Sequence, residues 1–331
     1  MKAAVITRPR QLEIQELEPR AVGPKDIRIE VHSSGICGTD VHIYGGDYIG
    51  DYPIVPGHEF AGVVVEAGSE VERIHVGDRV AIEPNIACDN CEACLNNRQN
   101  FCENWQGIGV TLSGGMAEYA VVPEKAAFSI GDMSFAAGAF VEPLSCVLHG
   151  VERTDFTPAD RVLIVGAGPI GILLAKTIGL QGASEITQVD RNAERLSLAG
   201  QTGAHRTGSS LEELGDERFD VVVDATGVPA VMAQAVDYAR PGGTILLFGV
   251  PPQDGVLSLN AFPIFRKGLR ILSSFTSVRN SFQAVRLLAS GRIDVDPLIS
   301  HRLPLSELET GIDLMETGRD GVMKVHILPQ D

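Results

Sequence analysis

The chain has 331 residues, a length that predicts about two domains. Its composition, 44% hydrophobic and 21% charged, is normal for a globular protein. Its formal net charge of -16 argues against nucleic acids and anionic membranes as partners. The N-terminal stretch MKAAVITRPR has no apolar core typical of an export signal, and no stretch resembles a membrane span, so we expect a cytosolic protein.

The first 150 residues predict short β-strands separated by turns. The segments IRIEVHSSG, EFAGVVVEAG and DRVAIEP alternate between polar and apolar residues or run apolar, and Gly, Pro or Asp bounds each of them. No long helix is predicted in this part of the chain. These patterns predict an all-β, barrel-like body.

From residue 161 the pattern changes to strands that alternate with helices. Continuous apolar strands separated by helical segments predict a parallel sheet covered on both faces. The predicted strands are RVLIVGAG, EITQVD, FDVVVDATG and TILLFGV, with LRILSSF at 269–275 as a candidate further strand. After a predicted helix at NSFQAVRLLASG, the tail ends in a helix and the strand MKVHIL, and we expect it to return to the first domain.

Four of the six cysteines lie within residues 88–102, in the stretch CDNCEACLNNRQNFC. They are Cys88, Cys91, Cys94 and Cys102. Disulfides between cysteines separated by two residues tend to be strained and reducible, so a disulfide or redox role is the weaker interpretation. Four thiolates at this spacing predict a closed tetrahedral zinc site.

A glycine-rich motif follows the first strand of the alternating region. It fits the pattern G-x-G-x-x-G at Gly166, Gly168, Pro169, Ile170 and Gly171. Because it follows a strand and opens a helix, it predicts a dinucleotide site, with the pyrophosphate at the helix N-terminus. Asp190, at the end of the next strand, would bind the adenosine ribose and favours NAD over NADP. The adjacent Arg191 weakens that preference, because an arginine there can serve NADP.

A second metal constellation is less marked by spacing. Cys37, His58 and Glu59 are competent zinc ligands, but no local motif joins Cys37 to His58. Glu142 lies in an apolar stretch and needs a partner there, which a metal can provide. Cys146, four residues later, is a rival ligand or a small core residue.

These motifs appear in one order along nearly the whole chain. The series CGTD (37–40), GHE (57–59), the four-cysteine lobe, GGMAEY, EPLS and GAGPIG resembles the zinc-dependent medium-chain dehydrogenases of the alcohol dehydrogenase superfamily, near its polyol (sorbitol-type) and threonine dehydrogenases. The resemblance implies an α/β protein with a GroES-like β-barrel catalytic domain and a doubly wound Rossmann parallel-sheet domain. Expected bounds are 1–152 for the catalytic domain with the lobe 88–102, 153–289 for the NAD-binding domain, and 290–331 for the return.

The resemblance also implies roles for individual residues. Cys37 and His58 are expected to bind a catalytic zinc, with Glu59 and Glu142 completing or exchanging in the remaining protein position. Asp40 is expected to orient the histidine ligand. Thr39 and His42 are implied as a proton relay, and Tyr44 and Arg302 as residues near the substrate. Tyr44 could equally be a core tyrosine, and Arg302 a surface arginine.

The expected reaction is oxidation of a secondary alcohol to a ketone with NAD+, using two zinc ions per subunit. The glutamate in EPLS replaces a cysteine ligand usual in simple alcohol dehydrogenases and favours a small-molecule polyol or sugar alcohol. L-Threonine and phosphorylated polyols remain alternatives. A zinc-free quinone reductase would lack the cysteines, and a non-catalytic protein on this scaffold would have a damaged ligand set. The family also implies a homo-oligomer, with a tetramer favoured over a dimer.

Overall fold

The computed structural model describes residues 1–331, and the chain divides into two compact units. Unit 1 comprises Met1–Ser145 together with Val278–Asp331, and unit 2 comprises Cys146–Ser277. The expected domain bounds at 152/153 and 289/290 lie somewhat later in the chain than these divisions. The assignment of functions to those domains stays a prediction.

Short strands dominate the first part of unit 1. They are β1 (Lys2–Arg8), β2 (Gln11–Glu16), β3 (Asp26–Gly35), β4 (Glu59–Ala67), β5 (Arg79–Ile82), β6 (Asn85–Ile86), β7 (Gln106–Gly107), β8 (Tyr119–Pro123) and β9 (Ala127–Ser129). The helices are α1 (Gly38–Gly45), α2 (Glu92–Leu95) and α3 (Phe135–Ala139), followed by α4 (Val141–Glu152), which begins in unit 1 and continues past its division at Ser145. The structure confirms the three strands predicted here, which correspond to β3, β4 and β5.

The expectation of no long helix in the first 150 residues was wrong, because α4 has 12 residues. Its apolar positions Val141, Leu144, Leu148 and Val151 recur at intervals of three and four residues, and all are buried. Pro143 lies in the first turn, where its missing N–H breaks no helical hydrogen bond. The helix therefore forms although its sequence contains proline.

Unit 2 is a six-stranded sheet with helices between its strands. Its elements are β10 (Arg161–Val165), α5 (Pro169–Leu180), β11 (Glu185–Val189), α6 (Ala193–Thr202), β12 (Arg206–Gly208), β13 (Phe219–Asp224), α7 (Pro229–Tyr238), β14 (Ala239–Leu247), α8 (Ala261–Lys267) and β15 (Arg270–Ser273). All neighbouring pairs are parallel, in the order β12-β11-β10-β13-β14-β15. This order reverses direction at β10, the doubly wound arrangement that the sequence predicts, and β15 confirms the further strand.

The C-terminal tail belongs to unit 1. It contains α9 (Ser281–Ala289), β16 (Ile299–Pro304), α10 (Leu308–Thr317) and β17 (Lys324–Leu328). Strand β17 pairs with β16 and, antiparallel, with β3, where His326 lies opposite Gly35. The resulting sheet has the order β16-β17-β3-β4-β5-β9, and β8 also pairs with β3.

This sheet determines where the two halves of the candidate metal site meet. Gly35 at the end of β3 lies opposite Glu59 at the start of β4. Residues just after Gly35 and just before Glu59 therefore lie at the same edge, although 20 residues separate Cys37 from His58.

None of the helices in the structure is both long and apolar enough to cross a membrane.

Candidate functional site

Three candidate zinc ligands converge in unit 1. The sulfur of Cys37, a ring nitrogen of His58 and a carboxylate oxygen of Glu59 all lie within 4.8 Å of one another. His58 and Glu59 are buried, and Cys37 is half-buried at the N-cap of α1. A thiolate, an imidazole and a carboxylate are donors that zinc accepts. The residues present therefore fit a zinc ion, as the sequence predicts.

Asp40 holds the two loops of this group together. This fully buried carboxylate accepts hydrogen bonds from the backbone N–H of Cys37 at 2.8 Å and of Gly57 at 3.1 Å. Its Oδ1 also lies 3.6 Å from Nδ1 of His58. Burial by itself raises the pKa of Asp40. The interaction with His58 and the two N–H groups together lower the pKa by more than burial raises it, so the net pKa lies below the ordinary value.

The same contact acts on the imidazole. Burial lowers the pKa of His58, yet the charges of Asp40 and Cys37 outweigh burial and raise it well above the ordinary value. A cation is thus favoured at this position, whether a proton or a metal. Because Asp40 faces Nδ1, the other ring nitrogen, Nε2, is the one left for a metal.

Lys324, a residue that the sequence analysis missed, forms a buried ion pair with Glu59. Its Nζ lies 2.7 Å from Glu59 Oε1 and also donates to the carbonyl of Ile36 at 3.1 Å. Burial lowers the pKa of Lys324, but the charges of Glu59, Cys37 and Glu142 raise it overall. The available signal was a lysine inside the apolar strand MKVHIL, which needs a partner as much as Glu142 does.

Glu142 and Cys146 lie on α4. The side chain of Glu142 is buried, and its charge acts on Lys324, but its carboxylate is not among the three groups that converge within 4.8 Å. Cys146, one turn later, is half-buried and forms no disulfide. Their roles as exchanging or rival ligands stay predictions.

The predicted relay residues lie on α1. The Cys37 sulfur is 3.8 Å from Thr39 Oγ1, so the threonine hydroxyl lies beside the candidate ligands. His42 is partly exposed, and its Nδ1 lies 3.1 Å from Asp47 Oδ2. Thr39 therefore lies next to the candidate zinc ligands, whereas the His42 side chain is in part accessible to solvent.

The two residues expected near the substrate are placed elsewhere. Tyr44 is buried against α10, where its hydroxyl donates to Glu309 Oε1 at 2.5 Å, which favours the alternative of a core tyrosine. Arg302 is exposed on β16, opposite His326. Tyr48 was not singled out from the sequence. Burial raises its pKa, and the charges of both His58 and Cys37 act on its hydroxyl.

The second metal group is the four-cysteine lobe. Its four sulfurs lie within 4.8 Å of one another, and the sulfurs of Cys88 and Cys94, like those of Cys91 and Cys102, are 4.0 Å apart. A disulfide needs about 2.05 Å. Tetrahedral zinc with bonds of about 2.3 Å places its sulfurs about 3.8 Å apart. The lobe therefore fits zinc and not disulfides.

The backbone supports thiolates in this lobe. The N–H groups of Cys88 and Asn104 point at the Cys102 sulfur, at 3.2 and 3.3 Å. Backbone N–H groups, that of Asn90 first, lower the pKa of Cys88 to about 6. Burial and the neighbouring thiols raise the pKa of Cys94 to about 12, a cost that a bound metal cation offsets.

The glycine motif of unit 2 lines a cavity of about 480 Å³ at the switch point of the parallel sheet. Gly166 has φ +111°, and a Cβ on Gly171 would overlap the Gly166 carbonyl, so both positions require glycine. A Cβ on Gly168 would meet only the Arg195 guanidinium, at 3.9 Å. Pro169 and Ile170 open α5 directly after this turn. The turn leaves backbone space of the kind that a pyrophosphate occupies.

Asp190 and Arg191 also line this cavity. The Asp190 carboxylate accepts hydrogen bonds from the backbone N–H groups of Ala167 at 2.7 Å and Asn192 at 2.8 Å. These bonds fix the carboxylate beside the glycine turn, where its remaining lone pairs can accept ribose hydroxyls. The cavity therefore fits the adenosine half of a nicotinamide dinucleotide.

Comparison with known families agrees with these sites. Residues 23–132 match the family described as "Alcohol dehydrogenase GroES-like domain", and residues 169–290 match "Zinc-binding dehydrogenase". Together the two matches cover most of the chain, and each falls on the part for which the corresponding fold was predicted.

Similar proteins of known name include dehydrogenases of three substrates. The chain is 31% identical to D-arabinitol dehydrogenase 1 of Uromyces fabae, over 99% of this chain and 97% of that protein. It is 36% identical to D-altritol 5-dehydrogenase of Agrobacterium fabrum, over 89% and 90% of the two chains. It is also 36% identical to L-threonine 3-dehydrogenase of Alteromonas mediterranea, over 93% and 94%.

Solved structures show the same fold at full length. A protein of Sinorhizobium meliloti 1021, described as a zinc-binding dehydrogenase and bound to NADP, superposes with a TM-score of 0.95 at 35% identity, with 99% of each chain covered. An alcohol dehydrogenase of E. coli CFT073 in complex with NADH gives 0.93 at 31% identity, again with 99% of each chain covered. The chain therefore belongs to the zinc-binding medium-chain dehydrogenases of the alcohol dehydrogenase superfamily.

Proposed function

We propose that this protein oxidises a secondary alcohol of a polyol or sugar alcohol to the ketone, with reduction of NAD+ to NADH and release of one proton. The single observation that carries the proposal is the convergence of Cys37, His58 and Glu59. The glycine motif that lines the cavity in unit 2 is also intact. The similarity to D-arabinitol dehydrogenase over 99% of the chain supports a polyol as the substrate class.

The proposed roles divide binding from proton handling. Cys37 and His58 hold the catalytic zinc, with Glu59 or Glu142 at the remaining protein position, and Asp40 fixes the orientation of His58. When bound, zinc acts as a Lewis acid that lowers the pKa of the alcohol, and NAD+ accepts the hydride. Thr39 would accept the alcohol proton while its own hydroxyl proton passes on through the cofactor ribose to the partly exposed His42, which lies beside Asp47 and would release a proton to solvent.

Unit 2 would position the cofactor. The backbone of Gly166 and Gly168 receives the pyrophosphate at the start of α5, and Asp190 binds the ribose hydroxyls. The carboxylate repels a 2′-phosphate, so NAD+ is the proposed cofactor. Arg191 in the same cavity and the NADP held by the Sinorhizobium meliloti relative keep NADP+ as the alternative.

The substrate class is tested by measuring NAD+ reduction with a panel of alcohols. We would compare sorbitol, xylitol, both arabitols, galactitol, 2,3-butanediol, phosphorylated polyols and L-threonine. The highest kcat/KM is expected for an unphosphorylated polyol. A clear preference for L-threonine would reject the polyol assignment in favour of the second candidate, which the 36% identical threonine dehydrogenases support.

Metal analysis tests the class of protein separately from the substrate. About two zinc ions per chain are expected, with loss of turnover on chelation. A protein that binds zinc and NAD but oxidises none of the panel would support the non-catalytic alternative. We further propose a cytosolic homo-oligomer, a tetramer rather than a dimer, which light scattering would measure.

A further inference from the structure

The end of helix α1 turns the chain back onto His42. Gly46, the residue after the helix, has φ +88°, a left-handed conformation that glycine adopts without strain. Its backbone N–H donates to the carbonyl of His42 at 2.9 Å, and the N–H of Asp47 donates to the same carbonyl at 3.1 Å. Asp47 is therefore held over the last turn of α1, beside the residue five positions before it.

Gly45 leaves the space that the Asp47 side chain occupies. A Cβ on Gly45 would lie 3.1 Å from Asp47 Oδ1, closer than an ordinary contact. With this space open, Asp47 Oδ2 lies 3.1 Å from Nδ1 of His42. The segment HIYGGD (42–47) therefore builds the contact within one helix end.

The charged groups near His42 come from several parts of unit 1. His42 and Asp47 line a cavity of about 330 Å³ together with Arg10, which follows β1, and Glu316 on α10. Arg10 donates to both oxygens of Glu316, at 2.7 Å each, so these two charges compensate each other. The ring of Tyr48 lies 6.5 Å from the His42 ring, measured between centroids. Asp47 is therefore the carboxylate that contacts the imidazole.

This contact decides which ring nitrogen of His42 carries a proton. An ionised carboxylate only accepts hydrogen bonds, so the neutral imidazole that faces it must carry its proton on Nδ1. Nε2 is then unprotonated and can accept a proton. Because the two side chains are 33% and 63% exposed, the contact contributes little to stability, and its effect is on orientation.

We infer that Asp47 is a positioning residue that holds His42 in the tautomer with its proton on Nδ1, so that Nε2 accepts the proton released in alcohol oxidation. The inference rests on the proposed function and deepens it. Without the carboxylate, the proton would distribute between both nitrogens, and a ring with its proton on Nε2 could not accept another there.

The proton balance of this step is closed. Oxidation of one alcohol releases one proton, which adds to Nε2 of His42 and gives an imidazolium beside the Asp47 carboxylate. The imidazolium then gives one proton to water, and both side chains return to their starting state.

The first test observes the tautomer directly, in the full-length zinc-loaded protein without substrate. Nitrogen-15 chemical shifts of histidine, measured by solid-state NMR at about pH 9, where imidazole is neutral, distinguish the two tautomers. His42→Gln identifies the His42 signals by their loss. The wild type should carry the proton on Nδ1, and Asp47→Ala should show both tautomers. A wild-type His42 with its proton on Nε2, or an unchanged tautomer in Asp47→Ala, would overturn the inference.

The second test measures the first turnover by stopped flow, with NAD+, the best polyol of the panel and a pH indicator. Asp47→Ala should slow NADH formation and proton release together, by about five- to tenfold, with zinc content and the KM for NAD+ unchanged. Asp47→Asn should stay within about threefold of the wild type, because its amide oxygen can still accept from Nδ1–H. Asp51→Ala, which removes an exposed carboxylate from the same loop, is the matched control and should behave as the wild type does.

The two tests separate the inference from the proposed function. Equal first-turnover rates in Asp47→Ala and the wild type would contradict the inference. Equal losses in Asp47→Ala and Asp47→Asn would contradict it as well, since the effect would then depend on charge and not on a hydrogen-bond acceptor. A wild type that shows the expected tautomer but oxidises no alcohol would instead reject the proposed function.

Discussion

The Asp40 carboxylate lies 3.6 Å from the His58 imidazole while it also accepts the backbone N–H of Cys37 at 2.8 Å. One buried side chain therefore sets the positions of two candidate zinc ligands that lie on different loops. Asp40 is not among the three groups that converge, but the positions of Cys37 and His58 depend on its carboxylate.

Asp40→Asn should weaken zinc binding by about 10- to 100-fold, because the amide removes the charge that orients and polarises His58. The measurement is zinc affinity by chelator competition, with the far-UV spectrum as a check of folding. Asp47→Asn, which changes an exposed carboxylate on a nearby loop, is the matched control. Equal zinc affinity in wild type and Asp40→Asn would show that the carboxylate has only a structural role.

The two zinc groups should respond differently to the loss of one cysteine. Cys37→Ser should abolish turnover and leave the unfolding temperature nearly unchanged, because its site is built by the sheet whether or not metal binds. Cys91→Ser should lower the unfolding temperature by about 5 °C or more, since the lobe contains little apolar core besides its cysteines and depends on the metal.

Turnover and unfolding temperature can be measured on the same preparations. Cys146→Ser is the control variant, because it removes the thiol of the rival ligand and leaves Cys37 and Cys91 in place. If Cys37→Ser and Cys91→Ser showed equal losses of turnover and equal melting temperatures, the proposed division between catalytic and structural zinc would be wrong.

The buried His326 should make unfolding sensitive to acid. Burial, with the charges of Lys324 and Arg302, lowers its pKa to about 3, and its Nδ1 lies 2.8 Å from Ser33 Oγ. The unfolded chain binds a proton near pH 6.5, whereas the folded chain does not until about pH 3. The stability that His326 contributes is therefore complete above pH 6.5 and is lost as the pH falls towards 3.

Between pH 7.5 and 5.0 this single group should cost about 2 kcal/mol of unfolding free energy. Urea unfolding of wild type and His326→Asn at both values, with saturating zinc, isolates the effect as the difference between the two proteins. The asparagine keeps a polar group near Ser33 but does not titrate. Identical pH dependence in the two proteins would contradict the low pKa of His326.

Cofactor choice should depend on the charge of Asp190. Asp190→Ser should raise kcat/KM for NADP+ relative to NAD+ by about tenfold or more, because it removes repulsion of the 2′-phosphate and leaves Arg191 to attract it. The ratio is measured with the best alcohol substrate. Arg191→Gln should move the ratio in the opposite direction. An unchanged ratio in Asp190→Ser would remove the role proposed for this carboxylate.

Local sequence was sufficient where a motif lies within one segment. The four cysteines at 88–102 and the glycines of GAGPIG each predict a site because turn geometry and ligand spacing act over a few residues. The strands of the parallel sheet were equally clear, since a strand buried on both faces is a continuous apolar run. By contrast, the sequence analysis predicted no long helix in the first 150 residues, although the apolar residues of α4 recur at intervals of three and four.

The ion pair between Glu59 and Lys324 was beyond local reasoning. The two residues are 265 positions apart, and they meet only because β17 returns to pair with β3. The position of Tyr44 was likewise undecided, and the structure resolves it by packing α1 against α10 so that the hydroxyl reaches Glu309. No period or spacing in the chain encodes contacts of this length.

By itself, the amino-acid sequence determined the four-thiolate lobe, the dinucleotide turn and the segments that form strands in the parallel sheet. Each of these features depends on residue pattern and backbone geometry within a short segment. Only the tertiary structure decided which distant charges share the interior with Cys37 and His58. Sheet pairing across the whole chain brings those groups together, and burial then makes their attraction strong enough to matter.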